Sequence, residues 1–269
     1  MLIEAFLLSL IAGSATVMGG IFVCCLRKVS DRFISGSMGF ASGVMLLVSF
    51  LNLLVESMDL TSYLNVTLAF AAGSVVIMII DLFLPHMELG KREDGVLGSD
   101  RRRRRFRDRG EERDNIYVNS KLRHSGLLIL IGVTLHNIPE GVIVSASYSH
   151  MPQLGVLIAV SIFFHNLPEG IATAIPLISA GSKKRDVVLA TFVSGMAEPL
   201  GALIGGTLLL GASTEMIGLA LAFAAGVMTY ITVDELIPVA HEYGHKHAVS
   251  AGILLGMIFM MFLNILLRR

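Results

Sequence analysis

The sequence contains one six-residue phrase twice, His-Asn-Ile-Pro-Glu-Gly at 136–141 and His-Asn-Leu-Pro-Glu-Gly at 165–170. The copies begin 29 residues apart, and each lies in the middle of a long apolar stretch. In each copy the His and the Glu are four residues apart, so on a helix they share one face. A carboxylate near the centre of a bilayer costs about 2.5–3.5 kcal/mol, and intramembrane acids are therefore candidates for function.

The composition is that of a membrane protein. Of the 269 residues, 54% are apolar and only 16% are charged, against about 25% charged residues in soluble domains. The mean hydropathy is +0.73. A spanning helix needs about 20 mostly apolar residues. Eight stretches of the sequence meet this requirement. They predict an all-α, polytopic bundle of eight helices that forms one domain over 1–269. The stretches are about 2–26, 34–56, 64–84, 125–148, 153–178, 187–210, 216–239 and 248–267.

The basic residues fall almost entirely in alternate loops. Three lie between predicted helices 1 and 2, twelve between 3 and 4, three between 5 and 6, and one between 7 and 8. Only Arg268 and Arg269, at the end of the chain, lie on the other side. Because Lys and Arg mark cytoplasmic loops, this distribution predicts that both termini are extracytoplasmic.

The long connection at 86–124 is rich in arginine, with Arg101 to Arg105 in one run followed by acids such as Glu111 and Glu112. It is predicted to be a disordered, solvated cytoplasmic loop. Attraction to anionic lipid of the inner leaflet is the alternative. Nucleic-acid binding is not expected, because no folded module accompanies the charge.

The two repeated phrases are predicted to meet at mid-depth. Helix 4 reaches His136 and helix 5 reaches His165 after a similar number of residues, but from opposite sides of the membrane. Glu140 then lies one turn outward of its histidine, and Glu169 one turn inward. The copies resemble two halves related by a two-fold axis in the membrane plane, an arrangement typical of transporter sites.

The residue types around these phrases suit a metal ion. Glu198 is a third acid in the middle of a predicted helix. Like Glu140 and Glu169, it is followed by a residue that disfavours helix, here Pro199. Imidazole, amide oxygen and carboxylate form a ligand set for a borderline or hard divalent cation. Three carboxylates exceed the charge of one dication, so either two metals bind or protons share the site. The structural alternative is that each Pro-Glu-Gly is a kink whose acid pairs with a neighbouring helix.

Other polar residues are weaker candidates. Asp81, at the cytoplasmic end of helix 3, and Asp234 and Glu235, at that of helix 7, are predicted to form a path for metal release. The alternative is that these acids are ordinary charges at the membrane interface with no role in metal release. The candidates toward the outer side are Asn52, Glu56 and His150. The histidine is expected to be solvated in a loop, with metal capture as the alternative.

A competing interpretation comes from His241-Glu242-Tyr243-Gly244-His245, which matches the H-E-x-x-H pattern of zinc proteases. In that pattern two histidines bind zinc and the glutamate activates water. It needs a stable helix and a third ligand, whereas here a glycine lies inside a short connection. The segment is therefore expected to be a solvated loop. An intramembrane metalloprotease is the alternative function, and a loose cytoplasmic metal-handling role for His241, His245 and His247 is a further alternative.

These features resemble the ZIP family of divalent metal transporters, most nearly its prokaryotic GufA-like branch. The resemblance covers essentially the whole chain. It rests on the paired phrases, supported by Met-Ala-Glu-Pro-Leu-Gly at 196–201 and Asp-Glu-Leu-Ile-Pro at 234–238. It implies one metal site formed by His136, Glu140, His165 and Glu169. It also implies an adjacent second site, in which Asn137, Asn166 and Glu198 share Glu140 and Glu169.

The resemblance further implies import toward the cytoplasm, a homodimer, and an elevator-like shift of helices 1, 4, 5 and 6 against 2, 3, 7 and 8. It places Asp81, Asp234 and Glu235 on the release path. The expected protein is an importer of Zn²⁺ in the inner or plasma membrane that also accepts Fe²⁺, Mn²⁺, Co²⁺ or Cd²⁺. One or two ions are its substrate, and no resident cofactor or catalytic residue is expected.

Overall fold

The computed structural model describes residues 2–26, 30–83, 130, 134–135, 137–179, 181–209 and 211–267, with the side chains of Asp81, Phe83 and Ser179 excepted. The arginine-rich connection at 86–124, predicted to be disordered, lies outside the described residues. So do His136, Arg268 and Arg269.

The described part of the chain consists of helices joined by short connections and contains no strand, which confirms the predicted all-α class. The helices are α1 (Leu2–Cys25), α2 (Asp31–Leu60), α3 (Tyr63–Phe83), α4 (137–150), α5 (Pro152–Ser179), α6 (Lys184–Leu208), α7 (Thr214–Glu242) and α8 (Lys246–Leu267). All but α4 are long and apolar enough to span a membrane. The protein is therefore polytopic, as predicted, and α4 is the described part of the remaining predicted span.

Several helices extend beyond the predicted apolar stretches. Helix α2 begins at Asp31 rather than at 34, because the Ser30 side chain caps it by accepting the N–H of Phe33 at 3.2 Å. Helix α7 begins at Thr214 rather than at 216, since Ser213 accepts the N–H of Met216 in the same way. Hydropathy does not detect a polar first turn, so the approximate apolar stretches begin a few residues later than these helices do.

Helices α2 and α7 each contain a π-helical turn, Val48–Leu53 and Thr232–Leu236. Such turns occur frequently at functional sites. In α2 the π turn presents the fully buried Asn52, whose Nδ2 donates to Oδ1 of Asn264 on α8 at 2.7 Å. Helix α2 carries the outer candidate residues, and α7 carries two of the candidates for metal release. Both helices therefore contain a π turn close to their candidate residues.

Helices that run in the same direction pack through pairs of glycines. The pairs are Gly19 and Gly170 for α1 and α5, Gly141 and Gly201 for α4 and α6, Gly39 and Gly252 for α2 and α8, and Gly73 and Gly226 for α3 and α7. A Cβ at any of these positions would overlap the backbone of the partner helix. Small residues allow this close approach, which stabilises helix pairs in membranes.

The helices form two groups. Helices α1, α4, α5 and α6 contact one another, while α2 pairs with α8 and α3 pairs with α7. Helix α5 also packs on α2, so it joins the groups. Within the first group, α1 and α6 run in opposite directions and cross where Gly13 meets Gly195. This crossing lies beside Glu198, whose Oε2 would be 3.4 Å from a Cβ at Gly13.

We expect the variant Gly252→Ala to lower the free energy of unfolding by about 1–3 kcal/mol, because the added methyl group would overlap the carbonyl oxygen of Gly36. Gly36→Ala is the matched control on the partner helix. Its Cβ would meet only the Ala248 oxygen, at 3.8 Å, and removing a helical glycine stabilises by about 0.5–1 kcal/mol. Thermal unfolding in detergent measures both. Equal behaviour of the two variants would contradict this account of the α2–α8 contact.

Candidate metal centre

The structure brings the two repeated phrases together. Glu140 of α4 and His165 and Glu169 of α5 each offer a ligand atom, and these atoms all lie within 4.8 Å of one another. The three residues are 1%, 0% and 2% exposed. Nε2 of His165 lies 3.0 Å from Oε1 of Glu140. The predicted partner His136 lies outside the described residues.

A second group of polar atoms adjoins this triad. The Nδ2 of Asn166 donates to Oε2 of Glu198 at 2.7 Å and to the carbonyl oxygen of Ala12 at 3.2 Å. Both residues are fully buried. With its N–H groups engaged by α6 and α1, the amide of Asn166 can offer only its oxygen to a cation.

Asn137 on α4 is held in the corresponding way. Its Nδ2 donates to the carbonyl oxygen of Ser194 at 2.9 Å and lies 3.3 Å from the Ser194 hydroxyl. The two asparagines of the repeated phrases are thus oriented by backbone carbonyls of α6 and α1, the two helices that cross at Gly13 and Gly195. Sequence reasoning missed Ala12 and Ser194. The only signal was a glycine next to each.

Four buried oxygen atoms in this region have no hydrogen-bond donor among the described residues: Asn137 Oδ1, Glu140 Oε2, Asn166 Oδ1 and Glu198 Oε1. A buried acceptor left unpaired costs about 1–3 kcal/mol. Oxygen atoms of carboxylates and amides, with one imidazole nitrogen nearby, are ligands for divalent cations. A bound dication would satisfy these acceptors and compensate the buried acids.

Two prolines interrupt the backbone hydrogen bonding of the helices that form this centre. Pro168 lies inside α5 and Pro199 inside α6, and each deprives a carbonyl one turn earlier of its helical donor. For Pro199 that carbonyl belongs to Gly195, and its oxygen lies against Gly13 of α1. Interruptions of this kind within a membrane are tolerated where the backbone is buried in protein.

Two of the proposed release residues, Asp234 and Glu235, are not part of this cluster. Asp234 is exposed and Glu235 is partly buried, both in the π turn of α7. The side chain of Asp81 lies outside the described residues. Among the described residues, the group of ligands close enough to hold one ion consists of Glu140, His165 and Glu169, so the release path stays a prediction.

The H-E-x-x-H segment does not lie on a continuous helix. Helix α7 ends at Glu242, Gly244 has a φ of +82°, and His245 follows before α8 begins. Nδ1 of His241 is 2.8 Å from the carbonyl oxygen of Ile237. The two histidines therefore do not share a helix face.

Tyr243 lies within this turn. Burial, with smaller contributions from the carboxylates of Glu242 and Asp31, raises the pKa of Tyr243 to about 12. The phenol is neutral at physiological pH, and it lies close to Asp31 at the start of α2.

His150 was expected to be solvated in a loop, and that expectation is wrong. It is the last residue of α4, and its Nε2 lies 2.8 Å from Oε1 of Glu56 on α2. The two side chains are 21% and 15% exposed. Apolar periodicity does not reveal such a contact, because the residues are 94 positions apart.

Comparison with known proteins agrees with this architecture. The family model described as ZIP zinc transporter matches residues 2–264. Proteins named zinc transporter ZupT are similar over nearly the whole chain. That of Clostridium perfringens is 34% identical over 265 residues, covering 95% of this chain and 93% of that protein. Those of Chlorobium luteolum and Corynebacterium glutamicum are 37% and 38% identical, each over 95% of this chain and over 95% and 96% of their own lengths.

Proposed function

Because the chain belongs to the ZIP zinc transporter family, we propose that it carries Zn²⁺ across the cell membrane through the centre between α4, α5 and α6. The protein is a multi-pass integral protein of that membrane. The observation that carries the proposal is the buried triad of Glu140, His165 and Glu169, with ligand atoms within 4.8 Å of one another.

The chemistry of the triad supports a transported rather than a structural ion. Structural zinc sites commonly include cysteine thiolates among their ligands. Here the three ligands are nitrogen and oxygen atoms, and the two cysteines, Cys24 and Cys25, lie at the far end of α1. Nitrogen and oxygen ligands also suit other divalent metals, so we propose Fe²⁺, Mn²⁺, Co²⁺ and Cd²⁺ as further substrates.

The amide oxygens of the two asparagines offer ligands for a second ion. Asn137, Asn166 and Glu198 adjoin the triad and include three of the oxygens that lack a donor among the described residues. We propose that one ion binds to Glu140, His165 and Glu169, with His136 as a further ligand. A second ion would be shared between these acids and the amide group.

The family resemblance implies import, and the charges at the two ends of the bundle indicate the orientation in which import would run. The described basic residues, Arg32, Lys183, Lys184, Arg185 and Lys246, stand at or just before the starts of α2, α6 and α8. These three helices run in one direction, so their starts share one end, which the positive-inside rule makes cytoplasmic. Import would then end beside Asp81, Asp234 and Glu235. A homodimer stays a prediction from the family resemblance.

Uptake of Zn²⁺ into proteoliposomes tests the proposal. We expect Glu140→Ala and Glu169→Ala each to reduce the initial rate to the background of empty liposomes, because each removes a charged ligand of the buried triad. Glu242→Gln is the control, since Glu242 lies at the end of α7 outside the centre, and its rate should equal that of the wild type. Unchanged uptake in both triad variants would contradict the proposed centre. Cleavage of a membrane substrate that Glu242→Gln abolishes would favour the protease alternative.

A further inference from the structure

The contact between His150 and Glu56 joins the group of helices that carries the metal centre to the group that does not. His150 ends α4, the helix of Asn137 and Glu140, whereas Glu56 belongs to α2. Both lie at the end of the bundle opposite the basic residues, which is the outer end under the proposed orientation. An imidazole nitrogen and a carboxylate oxygen stand 2.8 Å apart there.

We propose that His150 and Glu56 form an outer site that binds the transported dication before it reaches the buried centre. This inference rests on the proposed function for the identity of the ion and its direction of travel. The chemical class of the ligand is a borderline divalent cation, because one imidazole nitrogen and one carboxylate oxygen are its preferred ligands.

The geometry fits such an ion after a small displacement. Two ligands of a tetrahedral zinc ion, each about 2.0–2.2 Å from the metal, lie about 3.4 Å from each other. The observed separation of 2.8 Å is that of a hydrogen bond, so the pair holds itself together until an ion inserts. Widening the pair by about half an ångström would bring the two atoms to the separation of zinc ligands.

The exposure of the pair distinguishes it from the inner centre. The side chains of His150 and Glu56 are 21% and 15% exposed, whereas the triad residues are at most 2% exposed. A hydrated ion can therefore reach the pair, keep water in its remaining positions, and leave readily because only two protein ligands hold it. The closed triad needs a conformational change to be reached.

The charges at this end favour arrival of cations. Glu4, Glu56 and Asp59 lie there, and the described part of the chain has no Lys or Arg at that end. Acidic side chains raise the local concentration of cations, and Arg268 and Arg269, predicted to lie on this side, are outside the described residues. Glu215, at the same end, is engaged differently. Its Oε1 accepts from Asn65 Nδ2 at 3.1 Å.

Helix α4 links the pair to the centre. His150 follows Glu140 by ten residues, about 15 Å along the helix. Ser147 lies between them on the face of Glu140, two turns along. It is fully buried, and its hydroxyl has no hydrogen-bond partner among the described residues. A polar oxygen thus interrupts the apolar stretch between the two sites.

Initial rates of Zn²⁺ uptake into proteoliposomes, measured over a range of concentrations, test the inference. We expect His150→Gln and Glu56→Gln to raise KM about tenfold and to change kcat by less than twofold, because the centre itself is intact. Glu215→Gln removes another acid at the same end and should leave both constants within twofold of the wild type. A fall in kcat with an unchanged KM would overturn the proposal, since that is the signature of a contact that only holds α4 to α2. Unchanged constants would overturn it as well.

A binding measurement separates this inference from the proposed function. In a Glu140→Ala/Glu169→Ala background we expect Co²⁺, followed by its visible absorption, to bind one site fewer when His150→Gln is added. If the wild type takes up no Zn²⁺, the proposed function fails, and this titration still decides the outer site. An equal Co²⁺ stoichiometry with and without His150→Gln would overturn the outer site while leaving the transport proposal intact.

Discussion

Zn²⁺ should raise the unfolding temperature of the wild type strongly and that of a Glu140→Gln/Glu169→Gln variant hardly at all. A ligand that binds only the folded protein stabilises it by about 4 kcal/mol at 1,000 times its Kd. The variant keeps the shape of the centre but loses two of the ligand carboxylates that converge with His165. Thermal unfolding in detergent, with and without Zn²⁺, measures the difference.

The same unfolding experiment, carried out without metal, has a second expected result. The wild type buries Glu140, Glu169 and Glu198, which are 1%, 2% and 0% exposed. Three carboxylates gathered in one buried place repel one another when they are ionised, and Gln keeps the volume of Glu without its charge. The metal-free variant should therefore unfold at the same temperature as the wild type or higher. Glu242→Gln should respond to Zn²⁺ like the wild type. A variant that keeps the full zinc shift would show that the ion binds elsewhere.

The variant Gly141→Val should lose about a hundredfold in uptake while the protein still folds. A Cβ at Gly141 would overlap the carbonyl oxygen of Glu198 and lie 2.6 Å from the backbone nitrogen of Ala202. Helix α4 must then move away from α6 by about 1 Å, which separates Glu140 of α4 from Glu198 of α6. Misplacement of a reacting group by that distance costs about a hundredfold in rate.

Gly36→Ala is the control for Gly141→Val, because its Cβ would meet only an oxygen at 3.8 Å. Its uptake should match the wild type. Gel filtration and thermal unfolding of Gly141→Val establish that it is folded. A folded Gly141→Val protein with normal uptake would show that the α4–α6 contact does not position the metal ligands.

Much of the architecture could be predicted because hydropathy reports each span directly. Stretches of about 20 apolar residues are required in a bilayer, and the helices from Leu2 to Leu267 follow them closely. Helix ends were less predictable. Ser30 and Ser213 add polar turns that hydropathy does not detect, and the π turns at Val48–Leu53 and Thr232–Leu236 have no apolar signature.

The candidate centre was predictable in its ligands but not in its supports. The sequence identified Glu140, His165 and Glu169 as candidates because an ionisable side chain inside a membrane span is costly. Such residues are therefore commonly functional. The carbonyls of Ala12 and Ser194, which orient the asparagine amides, could not be found. Every residue carries a carbonyl, and only the path of the neighbouring helix decides which one faces a given side chain.

The contact of His150 with Glu56 was missed for a related reason, since it joins helices distant in sequence. The sequence by itself determined the number of apolar spans, their alternating charge and the two matched sets of ligands, because all three depend on the order of residues along a single helix. Tertiary structure alone decided that the sets share one place, that carbonyls of α1 and α6 hold the two asparagine amides, and that His150 meets Glu56 at the end of α4. These arrangements depend on how closely helices approach, and glycines such as Gly13 and Gly141 allow that approach without revealing the partner.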